Sequence, residues 1–121
     1  MDAARPNLPR ALLSGSAPIS ISSIATTAVI AAPAAGLRLR IWKILYVVGG
    51  ANTVQLLSAA TPLTGVMTHA TSGAGVAMDE VSAVNAPLFV CGAAEAFNLI
   101  TTTTALVGGY VVYDVAPAVG S

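Results

Sequence analysis

Twelve consecutive residues, Leu37 to Val48, ended at once by Gly49-Gly50, constrain the fold more than any other part of this 121-residue chain. Their first half alternates: Leu37, Leu39 and Ile41 point one way, and Arg38, Arg40 and Trp42 the other. Alternation of period two with β-branched and aromatic side chains marks a strand with one buried face. After Trp42 the run is apolar on both sides apart from Lys43. Either both faces are covered there, or a bulge near Trp42-Lys43 changes which side chains point inward. Both readings make this stretch the central strand of an all-β domain around which the rest of the chain packs.

The flanking sequence supplies its neighbours. Ile19-Ser20-Ile21-Ser22 alternates, Thr26 to Ala31 is a second short strand, and Pro33 and Gly36 turn the chain into the central one. Gly49-Gly50-Ala51-Asn52 reads as a turn, which makes Thr53 to Leu57 the hairpin partner of the central strand. Thr64 to His69 follows a turn at Pro62, and Gly73-Ala74-Gly75 precedes Val76 to Met78. Polar Asp79 to Asn85 reads as a loop. Leu88 to Cys91 is wholly apolar, as in a strand covered on both sides. Ala96 to Thr104 is a strand ending in a threonine tract, and Gly108-Gly109 opens a last strand, Tyr110 to Val115, closed by Pro117. Eight or nine short strands with no convincing helix indicate a sandwich, a barrel or a jelly roll. Residues 1–18, with Pro6, Pro9 and Pro18, read as an extended N-terminal arm ahead of a β domain at 19–121. Arg5 and Arg10 before an uncharged region give the outline of a signal peptide, but Pro18 and five serines break its apolar core.

Composition decides what such a domain does with its surface. The chain is 55% hydrophobic and 8% charged, with five Lys and Arg balancing five Asp and Glu. A soluble monomer carries about a quarter charged residues, and a neutral, charge-poor surface favours association. A membrane helix needs about 20 apolar residues in a row. The densest run, Ile44 to Ala51, stops far short of that at Gly49-Gly50. The reading is therefore a subunit covered by copies of itself or by partners, with no membrane. Zero net charge leaves no electrostatic footprint for nucleic acid. All five cations, Arg5, Arg10, Arg38, Arg40 and Lys43, fall in the first 43 residues, so that third is basic and the remainder acidic.

Residues able to carry chemistry are few. His69 is the single histidine and could join a Ser-His-Asp set with Asp79 or Asp114 only on paper, because no Gly-x-Ser-x-Gly nucleophile motif is present. Asp79-Glu80 is a solvated pair rather than a cation site, and no metal or cofactor is expected. Gly73-Ala74-Gly75 lacks the lysine and helix of a phosphate loop. Cys91, the only cysteine, excludes an internal disulfide and reads as a buried thiol. The chain is thus expected to be no enzyme. Its candidate contact residues are the strand cations Arg38, Arg40 and Lys43, the arm cations Arg5 and Arg10, and the aromatics Trp42 and Tyr46 as interface anchors.

Four motifs occur in order: Gly36-Leu37-Arg38-Leu39-Arg40-Ile41, then Ala59-Ala60-Thr61-Pro62-Leu63-Thr64-Gly65, then Gly92-Ala93-Ala94-Glu95-Ala96-Phe97-Asn98-Leu99, then Val107-Gly108-Gly109-Tyr110. In this succession the chain from Gly36 to Val115, about two-thirds of its length, resembles the small β-sandwich domains of tailed-bacteriophage virions. Phe97 stands where that family has leucine, and Pro62 is an atypical insertion. The resemblance implies a jelly-roll-like antiparallel β-sandwich of about eight strands. It also implies a capsid decoration or cement protein, a homotrimer on the outer surface of a phage head that binds the major capsid protein and stabilises the shell. Related domains occur in tail fibres and appendages, so a receptor-binding domain is the alternative. On this reading the cations meet an acidic capsid surface and the arm wraps onto the shell or an adjacent subunit.

Overall fold

A computed structural model describes residues 15–79 and 86–118. Among them ten strands form two antiparallel sheets: β1 (Gly15–Ile21), β2 (Ala25–Ile30), β3 (Leu37–Val48), β4 (Asn52–Ser58), β5 (Thr61–Pro62), β6 (Met67–His69), β7 (Gly75–Met78), β8 (Phe89–Val90), β9 (Phe97–Thr101) and β10 (Val107–Pro117). One sheet runs β1-β10-β3-β7 with β8 also on β3, and the other runs β2-β9-β4-β5 with β6 also on β4. The first strand thus pairs with the last and the second with the last but one, while β3 and β4 each pair with strands on both sides. This nested pairing is a hairpin rolled up on itself, the jelly roll. Because β5 and β6 share one edge position and β7 and β8 another, ten strands fill eight places, matching the expected architecture.

The bulge in β3 sits where the alternation breaks. Val112 pairs with Lys43 and Tyr113 with Ile41, so Trp42 is the extra residue. An inserted residue shifts the side-chain parity of everything after it. Leu39 and Ile41 face the core before the bulge, and Ile44, Tyr46 and Val48 after it, each 0–1% exposed. They meet Val54, Leu56, Phe97 and Leu99 of the opposite sheet. A core of this width buries enough apolar surface to hold the layers together at roughly 25 cal/mol per Å².

Four expectations are corrected. First, β3 and β4 are not a hairpin: the turn at Gly49 to Ala51 carries the chain from one sheet to the other, and β4 pairs with β9. Second, the arm does not reach residue 18, because Gly15 to Pro18 already pair with Tyr110 to Tyr113 in β1. Pro18 is tolerated there because β1 is an edge strand, where a missing N–H donor can face away from the ladder. Residues 1–14 of the arm lie outside the described residues, as do residues 80–85 of the expected loop and 119–121 of the domain. Third, the strand expected over Thr64 to His69 is confined to Met67–His69. The Thr64 hydroxyl accepts the Leu56 N–H at 3.2 Å and donates to the Gly65 carbonyl at 2.8 Å, forming a turn at the edge of β4. Fourth, β9 ends at Thr101 rather than Thr104. The side-chain oxygen of Asn52 captures the N–H groups of Thr102 and Thr103, both at 3.1 Å, and bends the tract out of the sheet.

Candidate functional site

The outer face of β3, with β10 beside it, gathers Arg38, Arg40 and Trp42 as the alternation predicts, and the bulge at Trp42 brings Lys43 to the same side. The burial pattern keeps Leu39, Ile41 and Ile44 on the opposite, core side. What the sequence does not show is how fully this face is engaged within the chain itself.

Arg40 and Asp114 are direct partners in the β3–β10 register. The Arg40 Nε donates to Asp114 Oδ1 at 2.8 Å and Nη2 donates to Oδ2 at 2.6 Å. The guanidinium fork matches a carboxylate in this way, giving both directionality and charge neutralisation. The Asp114 side chain is 0% exposed and that of Arg40 26%. The same guanidinium lies 5.5 Å from the Trp42 ring centre, within cation–π range. Arg38 donates from Nη2 to the Ala118 carbonyl at 2.7 Å, tying the end of β10 to the start of β3. Lys43 approaches Asp79 at 4.0 Å with both side chains well exposed, a contact of little energy in water.

Two of the expected anchors are corrected by their burial. Tyr46 is 0% exposed because the bulge at Trp42 turns it into the core, and its hydroxyl lies 2.8 Å from His69 Nε2 and 3.7 Å from Met67 Sδ. The His69 ring meets it edge-on, 5.4 Å between centres. Burial pushes the Tyr46 phenol up to about 12. Trp42 lies on the outer side but is 4% exposed, which leaves almost no ring for a partner. Arg5 and Arg10 lie outside the described residues. Arg38, Arg40 and Lys43 remain partly exposed, and of these Lys43 is the least engaged.

The paper triad is not assembled: His69 Nε2 is spent on Tyr46, and the Asp114 carboxylate is held by Arg40. Cys91 is buried, 1% exposed. Burial pushes its thiol up, Ser58 opposes this by hydrogen bonding, and the charge of Glu95 adds to it. Among the described residues no group of three His, Cys, Asp or Glu could hold a metal ion. No helix among them is long and apolar enough to cross a membrane.

The motif residues have structural work. Ser58 donates to Glu95 Oε1 at 2.6 Å and accepts the Gly92 N–H at 2.9 Å, locking the turn ahead of β9. A Cβ on Gly92 would stand 2.5 Å from the Glu95 carboxylate and would push that side chain away from Ser58. The glycine and glutamate of the third motif and the threonine of the second therefore specify turns of the jelly roll. Ser58, Asn52 and Asp114 were not legible as a set, because the partners that give them their roles lie 34 to 74 residues away.

No protein-family model, curated protein or solved structure matches this chain.

Proposed function

We propose that the chain is a non-enzymatic structural protein of a tailed-phage virion, a decoration or cement protein that binds the outer surface of the capsid and stabilises the shell. The observation that carries this reading is a jelly roll whose second sheet has no Asp, Glu, Lys or Arg in any of its five strands. On the first sheet the Arg40 charge is already neutralised by Asp114. A module with so little free charge persists in water when its faces are covered by copies of itself or by a larger scaffold. Repetition of one module over a shell supplies avidity, so each contact can be modest. The ordered motifs support the same reading, since they fall at the start of β3, at β5 with the turns on either side of it, at the entry to β9 and at the start of β10. In this assignment Arg38 and Lys43, flanking the neutralised Arg40, contact acidic groups of the major capsid protein, and assembly of the chain with itself covers uncharged surface.

The test is quantitative protein mass spectrometry of purified particles, followed by heat challenge of shells with and without the protein. Hundreds of copies per particle, with earlier rupture of shells lacking them, are expected. A handful of copies would favour an appendage domain that binds a host receptor. Absence from particles would overturn the assignment.

A further inference from the structure

The Tyr46 hydroxyl joins the two sheets through the core. It reaches from β3 in the first sheet to β6 in the second, where it lies 2.8 Å from His69 Nε2 and 3.7 Å from Met67 Sδ. Tyr46 is wholly buried and His69 nearly so, whereas Met67 is partly exposed on a three-residue strand that pairs only with the margin of its sheet at β4. Burial holds the phenol proton in place well past neutral pH, so the hydroxyl is a constant donor. It has one proton to give, and two acceptors face it. A thioether sulfur accepts only weakly, so the imidazole nitrogen takes the proton and His69 carries its own on Nδ1.

We propose that Met67 is an oxidation site whose sulfoxide reverses the hydrogen bond between Tyr46 and His69. The oxidant is a hydroperoxide, a small molecule able to reach a partly exposed thioether. A sulfur lone pair attacks the terminal peroxide oxygen, the O–O bond breaks and an S–O bond forms. The proton of the attacked oxygen passes to the departing one, which leaves as water or an alcohol. Sulfur loses two electrons and the peroxide gains two, so no further reactant is needed. Oxidation turns an apolar side chain into a polar one, and its new oxygen accepts hydrogen bonds far better than the sulfur did. That oxygen forms beside the Tyr46 hydroxyl and claims its proton. Nε2 then keeps its contact with the phenol oxygen only by donating, so His69 carries a proton there. Neutral imidazole allows this, because either ring nitrogen can hold the proton. The sulfoxide also sets a polar group against the core on which Met67 packs, which loosens β6. This inference concerns the chain alone and does not depend on a capsid.

Hydrogen peroxide treatment of the full chain tests it, with peptide mass spectrometry to locate the sulfoxide and nitrogen NMR of the His69 ring. Sulfoxide at Met67 is expected, together with a change of the Nε2 signal from the acceptor to the protonated type. Amide exchange in β6 should quicken by about fivefold or more, the equivalent of one hydrogen bond. Methionine sulfoxide reductases should restore the original spectrum. Met67→Leu keeps the volume without the sulfur, so peroxide should leave its His69 ring and β6 unchanged. In Tyr46→Phe the sulfoxide still forms, but no hydroxyl passes the effect on, so the ring signal should stay in place. Circular dichroism verifies that the variants are folded, and Met67→Leu alone carries the comparison if Tyr46→Phe does not fold. Oxidation that spares Met67, a Met67 sulfoxide with an unmoved His69 signal, or the same movement in either variant would overturn the inference.

Discussion

Arg40 and Asp114 face each other across the β3–β10 ladder through two parallel hydrogen bonds of 2.8 and 2.6 Å, with the carboxylate wholly shielded from solvent. An ion pair of this kind contributes little net stability relative to an apolar pair, yet breaking it is costly, because the surviving charge stays buried. The asymmetry of exposure, 26% against 0%, then sets the order of effects. Arg40→Ala strands a carboxylate that cannot reach water and is expected to cost about 3–5 kcal/mol. Asp114→Ala leaves a guanidinium that can turn outward and is expected to cost less. The double variant should be milder than the sum of the two. Urea denaturation of the four proteins as a double-mutant cycle checks this, and equal losses for the two single variants would count against it.

Tyr46 gives the fold a limit on the alkaline side. Its phenol, pushed up to about 12 by burial, keeps its proton in the folded chain, while an unfolded tyrosine releases it near pH 10. Between those values the folded state binds more protons than the unfolded one, so stability is complete below about pH 10 and falls as pH rises toward 12. The loss reaches on the order of 2–3 kcal/mol. Tyr46→Phe removes this slope. It also deprives His69 of its hydroxyl partner, at a cost of about 1–2 kcal/mol at neutral pH. Denaturation midpoints measured from neutral to strongly alkaline pH should therefore fall for the wild type and run flatter, from a lower start, for the variant.

The same residue marks the boundary of what the sequence could disclose. Alternation in Leu37 to Ile41 was enough to foresee the central strand, because side-chain parity is a local property, while its failure after Trp42 left a bulge as one of two readings that the β10 register decides. Which way Tyr46 points depends on the bulge actually forming, so the aromatic taken for a surface anchor lies in the core. The turn after β3 was legible as a turn but not as a passage between layers. Gly49-Gly50 satisfies a hairpin and a sheet-to-sheet crossing equally well, and only packing of β4 against β9 decides between them. The basic residues of β3 were visible one by one. Their neutralisation was not, since Asp114 lies 74 residues away and its register with Arg40 is fixed by the whole β10 ladder.

Asn52 holds the loop that ends β9. Its side-chain oxygen accepts from Thr53 at 2.8 Å and from Thr102 and Thr103 at 3.1 Å, and its amide donates to the Ala105 carbonyl at 3.0 Å. At 3% exposure, water cannot replace these bonds without opening the loop. Asn52→Ala leaves several backbone donors unsatisfied and is expected to cost about 2–4 kcal/mol. Asn52→Asp keeps the acceptor but loses the donor to Ala105 and buries a charge, so it should not rescue. Hydrogen exchange at Thr102 and Thr103 is the sharper readout, with faster exchange there in both variants than at β3 amides.

Adjacent glycines in the last motif have opposite tolerances. At Gly109, paired with Tyr46 in the ladder, a Cβ would run into the Leu45 carbonyl oxygen and stand 2.6 Å from the Tyr46 Cα. The obstruction is backbone in the central strand, which cannot yield without separating β10 from β3. At Gly108 the nearest atom is the Ile19 carbonyl oxygen, at 3.9 Å, an ordinary contact. Gly109→Ala is therefore expected to cost more than about 3 kcal/mol or to abolish folding, while Gly108→Ala stays within roughly 0.5 kcal/mol of the wild type. Thermal unfolding of the two variants decides the matter: similar midpoints would mean that β10 can lift from β3 at that point, against the close approach of backbones on which this end of the sheet is built.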